Sequence, residues 1–494
     1  HPHLFRRAPT AGSGGSGDDL IARRTAAAGF WLALVLGAYF LAQVIVRLWS
    51  GPGVQLDEAE LLVMARAFHW GYGPQQPLYN WLQAGVFAVF GVNVAALVVT
   101  KNICLWLFYM MTYLGLRTCC DDRRSAIATL GLMFVPTIAW EAQRTLSHSV
   151  ALMVTSAGFL WAVGGLLRRD SRMGWLLLGL AMGLGGLSKT NFWILPLAVG
   201  LALWSLPPPP GRAGGAWRRG LPVALIVAGA IVGGPLWWSL THPDLALMSV
   251  GKMYRSEGPE FGGRIFAGAF EVVEALVLSF VLLGPLAWAS RWFDRRKGTV
   301  GVPETAVWMR RFLLRVLVIG VGLLMVAMTI AGATRVSPRW LLPLAVPGAA
   351  GLALWALEAG AARGIVWAAA IVGGTVLTGL TVVLGLQPSR LNDDYTGLRD
   401  RVRGLAVEGG VVTGAVRDTG ALLAVDPTLP VVAEPPIGPG YPPGKPLLRV
   451  VEGAGDDTPP APGATLRERE ALSVPNLVRP AQAQLFALET WDVR

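Results

Sequence analysis

Eleven apolar runs, most of them close to the length of a membrane-crossing helix, leave this chain few folds to choose from. A helix rises about 1.5 Å per residue and a bilayer's hydrocarbon core is about 30 Å thick, so about 20 apolar residues span it. The runs lie near 26–48, 95–116, 125–140, 148–167, 173–187, 191–206, 221–240, 266–288, 313–332, 340–358 and 365–386. Those beginning at 125, 173 and 191 are short for a span, and the charge pattern between the runs requires them for parity. With 53% hydrophobic residues, 15% charged residues and a mean hydropathy of +0.50, the composition is that of an all-α integral membrane protein.

The net charge of +11 does not point to nucleic acid, because the arginines cluster in alternate loops. One set holds Arg23 and Arg24; Arg117, Arg123 and Arg124; Arg168, Arg169 and Arg172; Arg212, Arg218 and Arg219; and the group from Arg291 to Arg311. The positive-inside rule makes these loops cytoplasmic and the opposite ones, near 51–94, 141–147, 188–190, 241–265 and 333–339, extracytoplasmic. The division expected is a flexible cytoplasmic arm at 1–25, a membrane domain at 26–386 and a periplasmic tail domain at 387–494. No cleavable signal peptide precedes the first run, which is expected to act as an uncleaved anchor. Of the three cysteines, Cys104 lies in a run and Cys119 and Cys120 face the reducing side, so no disulfide is expected.

Within the first outer loop, "LYNWLQAGVFAVF" at 78–90 is apolar but too short to span, and the stretch before it has helical periodicity with a polar face. Both are expected to be interfacial helices joined by the turn "GYGPQQP". After residue 387, "LRDRVRGLAVEGG" reads as a helix and "VVTGAV" and "LPVVA" as strands, which predicts a small α/β domain. No segment repeats internally, which weakens a transporter built from inverted halves.

Ionisable groups near mid-bilayer cost about 2.5–3.5 kcal/mol on the mildest scale, so those at the outer ends of the runs need a reason to be there. They include Asp57, Glu58, Glu60, Lys101, Glu141, His148, Lys189, His242, Lys252, Arg255, Glu271, Glu274, Arg335 and Arg339. Cations on the side that should lack them suit an anionic ligand such as a lipid phosphate. "DEAE" at 57–60 has the form of a capping box with Asp57 as N-cap and Glu60 as its answer; a carboxylate at the water boundary is also suited to take a proton from a hydroxyl. Lys189 either snorkels to the interface or meets a phosphate at a tight turn. The segment holding His242, Lys252 and Arg255 is an ordinary loop or a flap over a charged head group, and Glu271 and Glu274 suit pairing with nearby cations. Arg335 and Arg339 stand with prolines at a span entrance, where a guanidinium is the natural partner of a phosphate. No cluster has zinc-site spacing.

Four motifs in order resemble family 39 of the GT-C glycosyltransferases, the group of protein O-mannosyltransferases and the lipid A aminoarabinose transferase. They are the acidic pair Asp57 and Glu58, "QPLYNWLQ" containing Tyr79, "LSKTN" containing Lys189, and "PRWLLPLAVP" containing Arg339. The resemblance implies a bacterial inner-membrane enzyme that transfers a sugar, with inversion, from a polyprenyl-phosphate donor to a lipid A, lipopolysaccharide or other envelope acceptor at the periplasmic face. It implies Asp57 as general base and Lys189, Arg255 and Arg339 as candidates to hold the leaving phosphate; Lys252 and Arg335 are further candidates for the lipid phosphate, and Glu58, Tyr79, His148 and His242 are expected as supporting or substrate-contacting groups. The "EKPPL" often carried by the lipid A branch is "PQQPL" here, which removes a Glu and a Lys; no cofactor is expected and a divalent metal is left open. The wording around "WGYGPQQPLYNWLQ" is similar to the galacturonic-acid transferases of rhizobial lipopolysaccharide. Rival readings are a flippase of polyprenyl-linked sugars, a protein O-glycosyltransferase and a non-catalytic scaffold.

Overall fold

The computed structural model describes residues 15–210, 217–254, 261–294, 301–386, 390–406, 409–432, 434, 441–442 and 444–493. The membrane part is built from α1 (Gly15–Trp49), α2 (Leu56–Met64), α3 (Leu78–Phe90), α4 (Val94–Leu116), α5 (Asp122–Leu130), α6 (Ala142–Arg144), α7 (His148–Arg168), α8 (Arg172–Gly186) and α9 (Ile194–Ser205). It continues through α10 (Trp217–Thr241), α11 (Pro243–Ala246), α12 (Phe261–Phe280), α13 (Leu283–Asp294), α14 (Glu304–Ala331), α15 (Leu342–Glu358) and α16 (Ala362–Leu380).

Each of the eleven apolar runs is helical over most of its described length, but fewer of them are straight spans than the charge parity suggested. Among the described residues seven helices are long and apolar enough to cross a membrane, and up to nine if each of two bent pairs counts as one. The runs at 173–187 and 191–206 form α8 of 15 residues and α9 of 12, short of a spanning length. The first bent pair breaks by 80° between Phe134 and Thr137, where Val135 is extended and Pro136 begins the next turn. That turn, Thr137–Glu141, is a π-helix, a local widening often found at functional sites. The second bent pair, Phe266–Phe280 with Leu283–Trp292, turns by 67°.

Small residues let the helices approach closely, the usual device where lipid tails remove any hydrophobic drive for association. Gly115 of α4 meets the backbone of Trp161 in α7, and Gly179 and Gly183 of α8 meet Ala224 and Ile231 of α10. α15 is the most enclosed of the seven long spans. α3 inverts the soluble pattern: it buries Tyr79, Asn80 and Gln83 and exposes Leu82, Val89 and Phe90, as a helix does when its outer face meets lipid. The three cysteines are buried and none is in a disulfide.

The tail holds α17 (Thr396–Ala406), α18 (Val416–Val425) and the strands β1 (Val411–Gly414), β2 (Pro446–Glu452), β3 (Thr465–Val474) and β4 (Gln484–Asp492). They form one mixed sheet in the order β1-β2-β4-β3, with β1 and β2 parallel and the other pairs antiparallel. "LPVVA" does not become a full strand; Val431 makes an isolated bridge to Val412. The tail is fastened to the segment between α1 and α3. Asn392 Nδ2 donates to Ser50 O at 2.7 Å, Gly53 N to Leu391 O at 2.9 Å, and Arg66 Nη1 to Leu429 O at 3.4 Å. α18 lies directly on α2, where a Cβ added at Gly420 would sit 2.5 Å from Ala59 Cα. Gly420→Leu is therefore expected to push α18 off α2 at a cost of about 1–3 kcal/mol, read as faster protease release of the tail; unchanged cleavage would mean the contact is not rigid.

Candidate active site

α2 starts two residues earlier than the sequence pattern suggested. Its N-cap is Gln55, and Glu58, not Glu60, closes the capping box by accepting from the Gln55 N–H at 3.0 Å. Asp57 is thus relieved of capping, and the expectation of Asp57 as N-cap is corrected. Glu58 is buried and paired with Arg47 of α1, which is itself 5% exposed. The fork is bidentate, with Nε to Oε1 at 3.0 Å and Nη2 to Oε2 at 2.6 Å, and Nη2 also donates to Gly53 O at 2.9 Å. Burial works against the charge on Glu58, but Arg47, Lys101 and the Gln55 N–H together hold its pKa below the usual value. Glu58 is a structural anchor that fixes the start of α2 and so aims its neighbour.

Asp57 points toward the turn between α6 and α7, where its Oδ2 accepts from Ser147 N at 3.1 Å. Burial raises its pKa; the Ser147 N–H and the charges of Lys189, Arg339 and Lys101 oppose that rise without cancelling it. The cations come from distant parts of the chain. Lys189, in the turn between α8 and α9, donates to Ser149 Oγ at 2.8 Å; burial and the nearby Arg339 lower its pKa, and Asp57 and Glu60 partly restore it. Arg339 lies in the 3-10 turn Pro338–Leu341, and its Nη2 is 3.0 Å from Glu141 Oε2 and 3.3 Å from Thr145 Oγ1. Asn191 Nδ2 donates to Trp340 O at 3.0 Å and ties the Lys189 turn to the Arg339 turn. Lys101 of α4 is buried and donates to Gln143 O at 3.0 Å. A carboxylate of raised basicity is thus ringed by cations that the sequence separates by up to 238 positions, Lys101 to Arg339.

His148 and Tyr79 stand beside this group with their rings 5.8 Å apart, edge to face. Both are buried, and among the described residues the Tyr79 hydroxyl and both His148 ring nitrogens have no hydrogen-bond partner; His148 Nε2 is 3.9 Å from Glu60 Oε1. Two expected members lie elsewhere. The His242 ring is exposed and stacked on Trp238 at 4.9 Å, and Arg335 is exposed with its backbone N–H given to Met253 O. Neither has a contact with Asp57, Lys189 or Arg339 among the described residues, so the structure does not bring them into this cluster. Arg255 lies outside the described residues, and Lys252 is described only as part of the turn Val250–Met253. Glu271 accepts from the Val336 N–H at 3.2 Å, an anchor for the Arg339 segment. The sequence marked Lys101 and Glu141 as boundary charges without a task, and the π turn that presents Glu141 has no sequence signal besides Pro136. Among the described residues no group of three or more His, Cys, Asp or Glu side chains could hold a metal ion.

Residues 74–238 match the family described as dolichyl-phosphate-mannose-protein mannosyltransferase. The lipopolysaccharide core galacturonosyltransferase RgtB of Rhizobium johnstonii is 34% identical over 316 residues, covering 64% of this chain and 63% of that protein. RgtA of the same organism, also a lipopolysaccharide core galacturonosyltransferase, is 32% identical over 317 residues, covering 63% of this chain and 61% of that protein. The match thus spans a little under two thirds of the length of these relatives. Among solved structures, ArnT from Cupriavidus metallidurans bound to undecaprenyl phosphate superposes with a TM-score of 0.58 over 92% of this chain and 97% of that one, at 15% identity. Residues 74–238 are thus similar to the dolichyl-phosphate-mannose-protein mannosyltransferases, and the chain as a whole has an ArnT-like membrane fold.

Proposed function

We propose that the chain is an inverting glycosyltransferase that moves a sugar, galacturonic acid by the likeness to its relatives, from a polyprenyl phosphate to a lipopolysaccharide core acceptor. The observation that carries this is the pairing of one basic carboxylate, Asp57, with Lys189 and Arg339 in a single partly buried cluster. An acceptor hydroxyl gives its proton to Asp57 as its oxygen bonds to the anomeric carbon from the face opposite the phosphate. The bond from that carbon to the phosphate oxygen breaks, and the polyprenyl phosphate leaves as an anion. Cations fixed in a water-poor site stabilise that charge more than solvent does. Arg339 is held ready by Glu141 and Thr145, and Lys189 by Ser149. Tyr79 and His148 bring uncommitted donors and acceptors for the sugar hydroxyls.

By this reading the site faces the periplasm, with the arginine-rich loops in the cytoplasm. The names of the relatives favour a lipopolysaccharide acceptor over a protein one. The tail, fastened to α2, is assigned to closing over the acceptor side. Arg339→Ala is expected to weaken binding of polyprenyl phosphate about tenfold or more, by loss of a charge-assisted contact. Equal binding by the variant, measured by titration of the purified protein, would remove Arg339 from the phosphate.

The reaction needs Asp57 ionised and Lys189 charged. Because the Asp57 pKa is raised, the rate is expected to fall, as pH drops, at a higher pH than a free aspartate would give. Because the Lys189 pKa is lowered, the alkaline limb is expected below the usual lysine range. A profile of kcat/KM against pH that is flat from pH 4 to pH 10 would contradict both assignments.

A further inference from the structure

We infer that a second anion site, for the phosphate of an anionic phospholipid, lies at the end of the bundle opposite Asp57. α4 and α7 run side by side away from the active site; α7 has 21 residues, about 30 Å of helix, between His148 at its start and Arg168 at its end. At that far end the two helices border a cleft of about 300 Å³ lined by Leu114, Arg117, Thr118, Trp161, Gly165 and Arg168. Both arginines sit at the last turn or just past it, the depth at which lipid phosphates lie when each helix spans the bilayer. Trp161 is 41% exposed and stands two turns inward, the belt position of an interfacial indole.

The cleft is open because of a glycine. A Cβ at Gly165 would meet nothing within 4 Å, whereas one at the adjacent Gly164 would strike Thr118 Oγ1 at 2.6 Å. Gly164 therefore serves helix packing, and Gly165 leaves room. Arg168 has no ion pair among the described residues. Arg117 is 3.5 Å from Asp122 Oδ1 and 5.9 Å from the Tyr113 ring centre, with half of its side chain still exposed. The cleft thus offers one uncommitted and one half-committed guanidinium above an apolar floor of Leu114 and Trp161. Forked guanidinium groups match phosphate oxygens, and the floor suits the glycerol and upper acyl carbons. A lipid with net negative charge fits better than a zwitterionic one, whose amine would face the same arginines.

The test uses the full chain in nanodiscs of phosphatidylglycerol and phosphatidylcholine, released into detergent and weighed intact for retained lipid. The wild type is expected to keep phosphatidylglycerol in preference, and Arg168→Gln and Gly165→Leu each to lose about tenfold of it, while Arg168→Lys keeps most. Sugar transfer assayed in detergent serves as the check of folding, since neither residue touches the active site. Equal retention of both lipids, or unchanged retention in both variants, would overturn the site. So would millimolar inorganic phosphate giving the same Arg168-dependent rise in melting temperature without lipid, which would make it a free-phosphate site.

Discussion

Asp57→Asn is expected to lower the turnover number of sugar transfer about 10²–10⁴-fold while leaving the fold and donor affinity in place. The amide oxygen can still accept from Ser147 N, so the turn before α7 keeps its anchor. Removing the carboxylate takes away a negative charge beside Lys189, Arg339 and Lys101, which favours an anionic donor rather than harming its binding. The effect therefore falls on kcat and not on KM. That split separates a proton acceptor from a mere structural contact, which would change thermal stability instead. Wild-type turnover in the variant would end the general-base assignment. A flippase has no use for the base, and its transport would survive the substitution.

The second large effect is on stability. Arg47→Met is expected to destabilise the protein by about 3–5 kcal/mol, because it strands the Glu58 carboxylate in a buried position. It also removes the donor to Gly53 O, which holds the chain leading into α2. The double change Arg47→Met with Glu58→Met should recover much of that loss, since two packed apolar groups replace a desolvated pair. Thermal unfolding of the two variants in one detergent is the measurement. A single variant as stable as the wild type would show that Glu58 has another partner or takes up a proton without cost. The account also expects activity to remain low in the double variant, because the start of α2 no longer aims Asp57.

How far the sequence carried the structure depended on the range of the signal. Apolar runs and alternating arginines are local patterns, and they placed a helix at each of eleven sites. Span length failed as a guide where Pro136 breaks a run and where α8 and α9 stop short of a spanning length. In the tail, β3 reads "TLREREALSV" and exposes most of its side chains, the charged pattern of an edge strand, so periodicity gave no strand signal there. The capping register was missed because glutamine is an uncommon N-cap and "DEAE" offered a more familiar one.

For the candidate site, Asp57, Lys189 and Arg339, which the structure brings together, all lie in motifs that stand out in the sequence. His242 and Arg335 carried the same kind of charge at the same apparent depth, and only the fold sends them elsewhere. Glu141, Thr145 and Ser149 act by holding cations across 198, 194 and 40 positions of sequence, and no spacing rule reaches that far. Arg47 sat inside an apolar run, where its partner Glu58 could not be seen without the turn that brings α2 back over α1.

The most direct measurement of the central claim is a stoichiometry. Purified protein is given a polyprenyl phosphate carrying labelled galacturonic acid, together with lipopolysaccharide core acceptor, in vesicles. The account predicts one free polyprenyl phosphate released for each labelled sugar found on the acceptor. Label that crosses the bilayer still joined to its carrier, with none on the acceptor, would contradict it.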